Sequence, residues 1–131
     1  MNSRKQGDVG TSFAIAYFSS SGFTVNVPLS DSQSYDLIIE KDGTCQKVQV
    51  KTSFKPTKYD KYRLELRTIS NTRGKKLEIR KISAKDFDLL FAMDGLGRFF
   101  VVPSTRLDGF AGIALSKLNE FEVLMPKKFG K

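Results

Sequence analysis

The spacing of apolar and polar positions changes several times along the chain, and each change marks an element. From residue 8 to about 20, Val9, Phe13, Ala16 and Tyr17 recur at helical spacing. Gly7 or Asp8 stands near the expected start, and Gly22 suits a left-handed end. Phe23 to Val27 then alternates with the two-residue period of a strand and stops at Pro28. Tyr35 to Glu40 and Gln46 to Ser53 are β-rich runs around Lys41-Asp42-Gly43-Thr44, where Asp-Gly favours a tight hairpin turn. A looser pair is expected from Tyr62 to Ile69 and Lys76 to Ile82, joined at residues 70 to 74. Phe87 to Met93 and Phe99 to Val102 flank Asp94-Gly95-Leu96-Gly97 and predict another hairpin. They are read first as core strands and second as a subunit interface. Residues 104 to 119 read as loop and one short helix. One helix, a strand and three hairpins predict an α/β sandwich around a mixed sheet, in a single domain over residues 1–131.

Charge sharpens this picture. The net charge is +8, with 22 Lys/Arg against 14 Asp/Glu. Ten of the basic residues, against only Asp60, Glu65 and Glu78, lie between Lys55 and Lys81. The rest of the chain is nearly neutral, so the excess marks a docking surface for a polyanion. Within it, Lys61, Arg63, Glu65 and Arg67 alternate with Tyr62, Leu64 and Leu66, and Lys76, Glu78 and Arg80 alternate with Leu77 and Ile79. A ribbon within about residues 55–82, apolar on one face and basic on the other, fits a DNA major groove. Arg63, Arg67, Arg73 and Arg80 are candidates for guanine contacts, and Lys61, Lys75 and Lys76 for further DNA contacts, the two turn lysines to phosphates. The competing reading is a solvated hairpin face with cross-strand ion pairs to Glu65 and Glu78.

Composition then limits the chemistry. The chain has no histidine, which removes Ser/His/Asp and Cys/His catalysis and imidazole-based zinc sites. Cys45 is alone and reads as a strand residue in a reducing, cytoplasmic setting. No apolar run approaches the roughly 18 residues of a membrane span, and Met1 to Gly10 lacks the apolar stretch of a signal peptide.

One cluster carries chemistry. Gln49 and Lys51 share a strand face, with Val48 and Val50 on the other. Pairing through the turn at 41–44 brings Asp36 beside them. A carboxylate, an amide oxygen and a lysine suit phosphodiester hydrolysis with Mg2+, for which Mn2+ is the expected substitute. Asp36, Gln49 and the Val50 carbonyl are the expected metal ligands. Lys51 would hold the attacking water and offset charge on the phosphate.

Tyr35-Asp36-Leu37-Ile38 followed by Val48-Gln49-Val50-Lys51-Thr52 resembles the signature of the PD-(D/E)xK nuclease superfamily, with Gln49 in the place of an Asp or Glu. Lys5-Gln6-Gly7-Asp8-Val9-Gly10 ahead of the helix, Gly22 and Pro28 also fit, most closely the group of bacterial intron-encoded homing endonucleases. The resemblance covers about residues 4 to 53 well and the remainder loosely. It implies a restriction-endonuclease-like core, a mixed β-sheet flanked by helices with a basic β-hairpin. It also implies a magnesium-dependent, sequence-specific endonuclease acting on double-stranded DNA, cytoplasmic and nucleoid-associated when bound. A homo-oligomer is expected, a dimer from the symmetry of a double-strand cut and a tetramer from the resemblance. Relatives place a Glu after Gly10, where this chain has Thr11, which implies weakened metal binding and slow or absent cleavage. Two other readings stand beside it: a Holliday-junction resolvase-like nuclease, and a non-catalytic DNA-binding protein.

Overall fold

The computed structural model of the chain describes residues 1–70 and 78–129. Its first element is the helix α1, Ser3–Ser20. The helix begins five residues before the apolar spacing indicated, because Asn2 caps it: the Asn2 side chain accepts the Lys5 N–H at 2.9 Å. Gly7 and Asp8 therefore lie inside the helix. At the other end Gly22 takes the left-handed conformation (φ +92°), and the Phe23 N–H reaches back to the Phe18 carbonyl at 3.0 Å, as expected for the glycine stop.

Ten strands follow among the described residues: β1 Thr24–Asn26, β2 Leu37–Lys41, β3 Thr44–Ser53, β4 Arg63–Glu65, β5 Thr68–Ser70, β6 Glu78–Arg80, β7 Leu89–Asp94, β8 Phe99–Pro103, β9 Gly112–Ala114 and β10 Glu122–Val123. Six form one mixed sheet in the order β1-β2-β3-β7-β8-β10. The β2–β3 hairpin turns at Asp42 and Gly43, both with positive φ, as the Asp-Gly pair predicts. The β7–β8 hairpin is also where expected. Between these hairpins β3 and β7 run parallel, Val48 opposite Leu89. Asp88 starts that pairing: it donates its backbone N–H to the Lys47 carbonyl (2.9 Å), and its Oδ2 accepts the Lys47 N–H (2.8 Å).

The alternation of side chains divides the core into two layers. On one face Leu37, Ile39, Val48, Val50, Phe91 and Met93 pack with Ala14 and Phe18 of α1. On the other face Leu90, Ala92, Phe100 and Val102 meet Leu64, Leu66, Ile82, Phe87 and Leu118. β7 is buried on both sides, so the core reading of Phe87 to Met93 holds. Among the described residues α1 is the one α-helix. The second face is covered by short strands and by 3-10 turns at Ser104–Arg106 and Leu115–Phe121, where a loop and a short helix were expected.

The basic segment also folds differently from a single long ribbon. β4 pairs with β9, Leu64 opposite Ile113, and only β5 and β6 pair with each other. Leu64 and Leu66 had to reach the core, and β9 supplies the edge that lets them do so. The alternation itself holds: both leucines are buried while Lys61, Arg63, Glu65 and Arg67 are exposed.

Candidate active site

The β2–β3 ladder begins at Leu37 opposite Val48, so Asp36 stands just beyond its end and continues the register opposite Gln49. Its backbone N–H still reaches the Val48 carbonyl at 2.8 Å. Two residues on, the N–H of Val50 points to the same side, where β2 has no further residue to pair it. The Asp36 side chain fills that gap, with Oδ2 accepting the Val50 N–H at 2.7 Å. Asp36 is thus anchored by the strand it faces, and its Oδ1 is left for another partner.

Val48 and Val50 belong to the layer under α1, which turns Gln49 and Lys51 to the opposite face. There Asp36, Gln49 and Lys51 line one small cavity of about 150 Å³, closed by Gln33, Ser34, Ile82, Asp86 and Phe87. The three residues expected to converge do so. Asp86 and Ser34 were missed: they come from loops, where no periodicity gives a side chain its direction, and are joined by the Ser34 hydroxyl donating to the Asp86 carbonyl (3.1 Å).

Burial dominates the electrostatics of the cavity. It pushes the Asp36 carboxyl above its ordinary value, and the Val50 N–H and the Lys51 charge offset only part of this. Burial likewise pulls the Lys51 ammonium below its ordinary value, against the opposing charges of Asp36 and Glu65. Both charged forms are short of stabilising partners. Among the described residues no group of three or more His, Cys, Asp or Glu side chains gathers to hold a metal. The residues lining the cavity that carry oxygen donors are Asp36, Asp86, Gln49, Gln33 and Ser34. These are hard oxygen ligands, and a divalent cation among them would relieve the buried Asp36 charge, so the residues fit such an ion.

Thr11 does not line this cavity. It lies in the third turn of α1, beside Gly10, rather than at the start of the helix. Gly10 is where α1 comes closest to β3: a Cβ there would stand 2.5 Å from the Thr52 methyl and 3.2 Å from Val50. Gly10, the neighbour of Thr11, thus lies over Val50 and Thr52 on the α1 side of β3.

The basic residues separate into groups. Arg67 is exposed and ion-paired with Glu65 two residues earlier (2.8 Å), a local pair rather than the cross-strand pairing anticipated as the alternative to DNA contact. Such exposed pairs contribute little, about 0–1 kcal/mol. Lys61 and Arg63 are exposed, and Arg80 stands on β6. Arg73, Lys75 and Lys76 fall outside the described residues.

The sequence profile of the PD-(D/E)XK endonucleases matches residues 1–126. The chain belongs to that family. Among solved structures, a bacterial homing endonuclease, I-Ssp6803I, superposes with a TM-score of 0.78 at 28% identity, covering 100% of this chain and 84% of that one. No curated protein sequence matches the chain. The family and this neighbour make the protein a DNA endonuclease by descent, with the mixed α/β fold of a homing endonuclease. No helix among the described residues is long and apolar enough to cross a membrane.

Proposed function

We propose that this chain is a magnesium-dependent, sequence-specific endonuclease of the homing type, acting on double-stranded DNA as a homo-oligomer, dimer or tetramer, in the cytoplasm. The observation that carries this reading is the meeting of Asp36, Gln49 and Lys51 on one cavity at the open end of the β2–β3 ladder. The family membership and the homing endonuclease neighbour support it.

Asp36 holds the only negative charge among the three and presents Oδ1, with Gln49 and the Val50 carbonyl as neutral ligands. Mg2+, or Mn2+ in its place, would supply Lewis acidity there when bound. Lys51, partly withdrawn from solvent, orients the attacking water and offsets the charge that grows on the phosphate. Its lowered proton affinity also lets it release a proton more readily than an ordinary lysine. The cations of the 55–82 segment hold the duplex, Lys61, Arg63, Arg67, Arg73, Lys75, Lys76 and Arg80 being the contacts proposed. With Thr11 neutral, Asp36 is the sole anionic ligand proposed, and cleavage is slow.

The test is selection of cleaved products from a randomised duplex library in Mg2+. One near-palindromic site, lost on Asp36→Ala, is the expected result. Stable binding without any product, also after Thr11→Glu, would instead establish a protein that recognises DNA and does not cut it. The neutral Thr11 and Gln49 are what favour that second reading.

A further inference from the structure

The pairing of β4 with β9 places Arg63 where no ribbon would put it. On the outer side of this small sheet Arg63, Arg106 and Lys117 line one open depression of about 380 Å³ together with Phe110 and Gly112. The three cations come from three separate elements, β4 and the 3-10 turns at Ser104–Arg106 and Leu115–Phe121. Among the described residues no carboxylate lines the depression. Of the nearby acids, Glu65 is ion-paired first with Arg67 and feels Arg63 more weakly, and Asp108 accepts the Ala84 N–H at 2.7 Å.

Gly112 makes the arrangement possible. A Cβ there would stand 3.0 Å from the Arg63 Nη2, 3.3 Å from its Nε and 3.1 Å from the Leu64 carbonyl. The guanidinium therefore lies against bare backbone, with the Glu65 charge on the same side of β4. The depression is also tied to the catalytic strand. The Arg63 carbonyl accepts the Ser53 hydroxyl at 2.9 Å, and Ser53 is two residues beyond Lys51 on the same face of β3.

We infer that Arg63, Arg106 and Lys117 form a phosphate-binding groove that grips the sugar-phosphate backbone of duplex DNA beside the catalytic strand, distinct from the β5–β6 ribbon. Three cations converging from three elements, with no carboxylate among the lining residues, suit phosphodiester oxygens, and phosphate contacts set register without reading sequence. The inference rests on the nuclease reading and adds Arg106 and Lys117 to the DNA-contacting surface.

Each phosphate neutralised steepens the fall of log affinity with log salt by about 0.9. The experiment measures binding of a fluorescein-labelled duplex of mixed sequence by the full chain, across a salt series without divalent metal. The comparison is between the parent, Arg106→Gln/Lys117→Gln, and Lys127→Gln/Lys128→Gln, which loses the same charge from exposed residues outside the groove. Matching circular dichroism and melting temperature establish that each variant is folded. The groove variant is expected to lose about 2 from the slope, and the other pair to keep the parent slope. An unchanged slope in the groove variant, or equal losses in both, overturns the groove and leaves the nuclease reading standing. A parent that binds no duplex at any salt overturns both. If the groove variant does not fold, Lys117→Glu alone, on an exposed side chain, makes the same comparison against Lys127→Glu.

Discussion

Asp36 Oδ2 accepts the backbone N–H of Val50 at 2.7 Å across the open end of the β2–β3 ladder. One carboxylate thereby completes the sheet and faces the cavity that holds Gln49 and Lys51. Its position is as well defined as the strand itself, which is the condition for a ligand to be ready before its ion arrives.

That readiness works against stability. The folded-state proton affinity of Asp36 is raised by burial, so its contribution to stability is full below the ordinary carboxylate value and is lost as pH rises through the folded one. At neutral pH the charged carboxylate destabilises the metal-free fold. Asp36→Asn keeps an oxygen for Val50 and removes the charge, so it should raise the melting temperature in EDTA while abolishing cleavage. Added Mg2+ should then stabilise the parent and not the variant. A lower melting temperature for Asp36→Asn in EDTA would mean that the charge is well compensated without an ion.

Lys51 answers to the opposite sign. Burial lowers its proton affinity, so the alkaline limb of a rate–pH profile should lie below that of an ordinary lysine. Lys51→Met should reduce cleavage by about 10²–10³-fold, with folding retained, because the methionine keeps the apolar stem. Single-turnover rates across pH, with the duplex in excess of its Kd, are the check; an unchanged rate for Lys51→Met would remove Lys51 from the chemistry.

Gly10 seats α1 on β3. The Cβ of Gly10→Ala would meet the Thr52 methyl at 2.5 Å, closer than side chains pack, so helix or strand must shift. Overpacking of this kind costs about 1–3 kcal/mol, measurable by urea denaturation. The shift acts on Val50 and Lys51 too, so cleavage should fall more than the lost stability explains.

Thr11→Glu adds a second anionic group next to Gly10 on α1. The expected outcome is faster cleavage and saturation at lower Mg2+, read from rates over a magnesium series. Identical magnesium curves for the two proteins would show that position 11 does not reach the ion.

The parts of this structure that were legible in the sequence are those set by short-range rules. Asp42-Gly43 fixed a hairpin, the two-residue alternation around Val48 and Val50 fixed the face of Gln49 and Lys51, and Gly22 ended the helix where expected. The helix start was misplaced because Ser3 to Gln6 offers no apolar stripe, and only the Asn2 cap marks it. The pairing of Arg63–Glu65 with Gly112–Ala114 was hidden for a different reason. Alternation shows which side of a strand is buried but not which distant edge completes it, and Gly112 gave no signal of its own. Asp86 reached the cavity through a turn far along the chain, again without a periodic trace.

The most direct test of the account is nicking of supercoiled plasmid DNA carrying a randomised insert, in Mg2+, by the Thr11→Glu protein with and without Asp36→Ala. The account predicts site-dependent nicking by Thr11→Glu, weaker nicking by the parent chain, and none once Asp36 is alanine. Nicking that persists at an equal rate without Asp36 would contradict the site assigned around Asp36, Gln49 and Lys51.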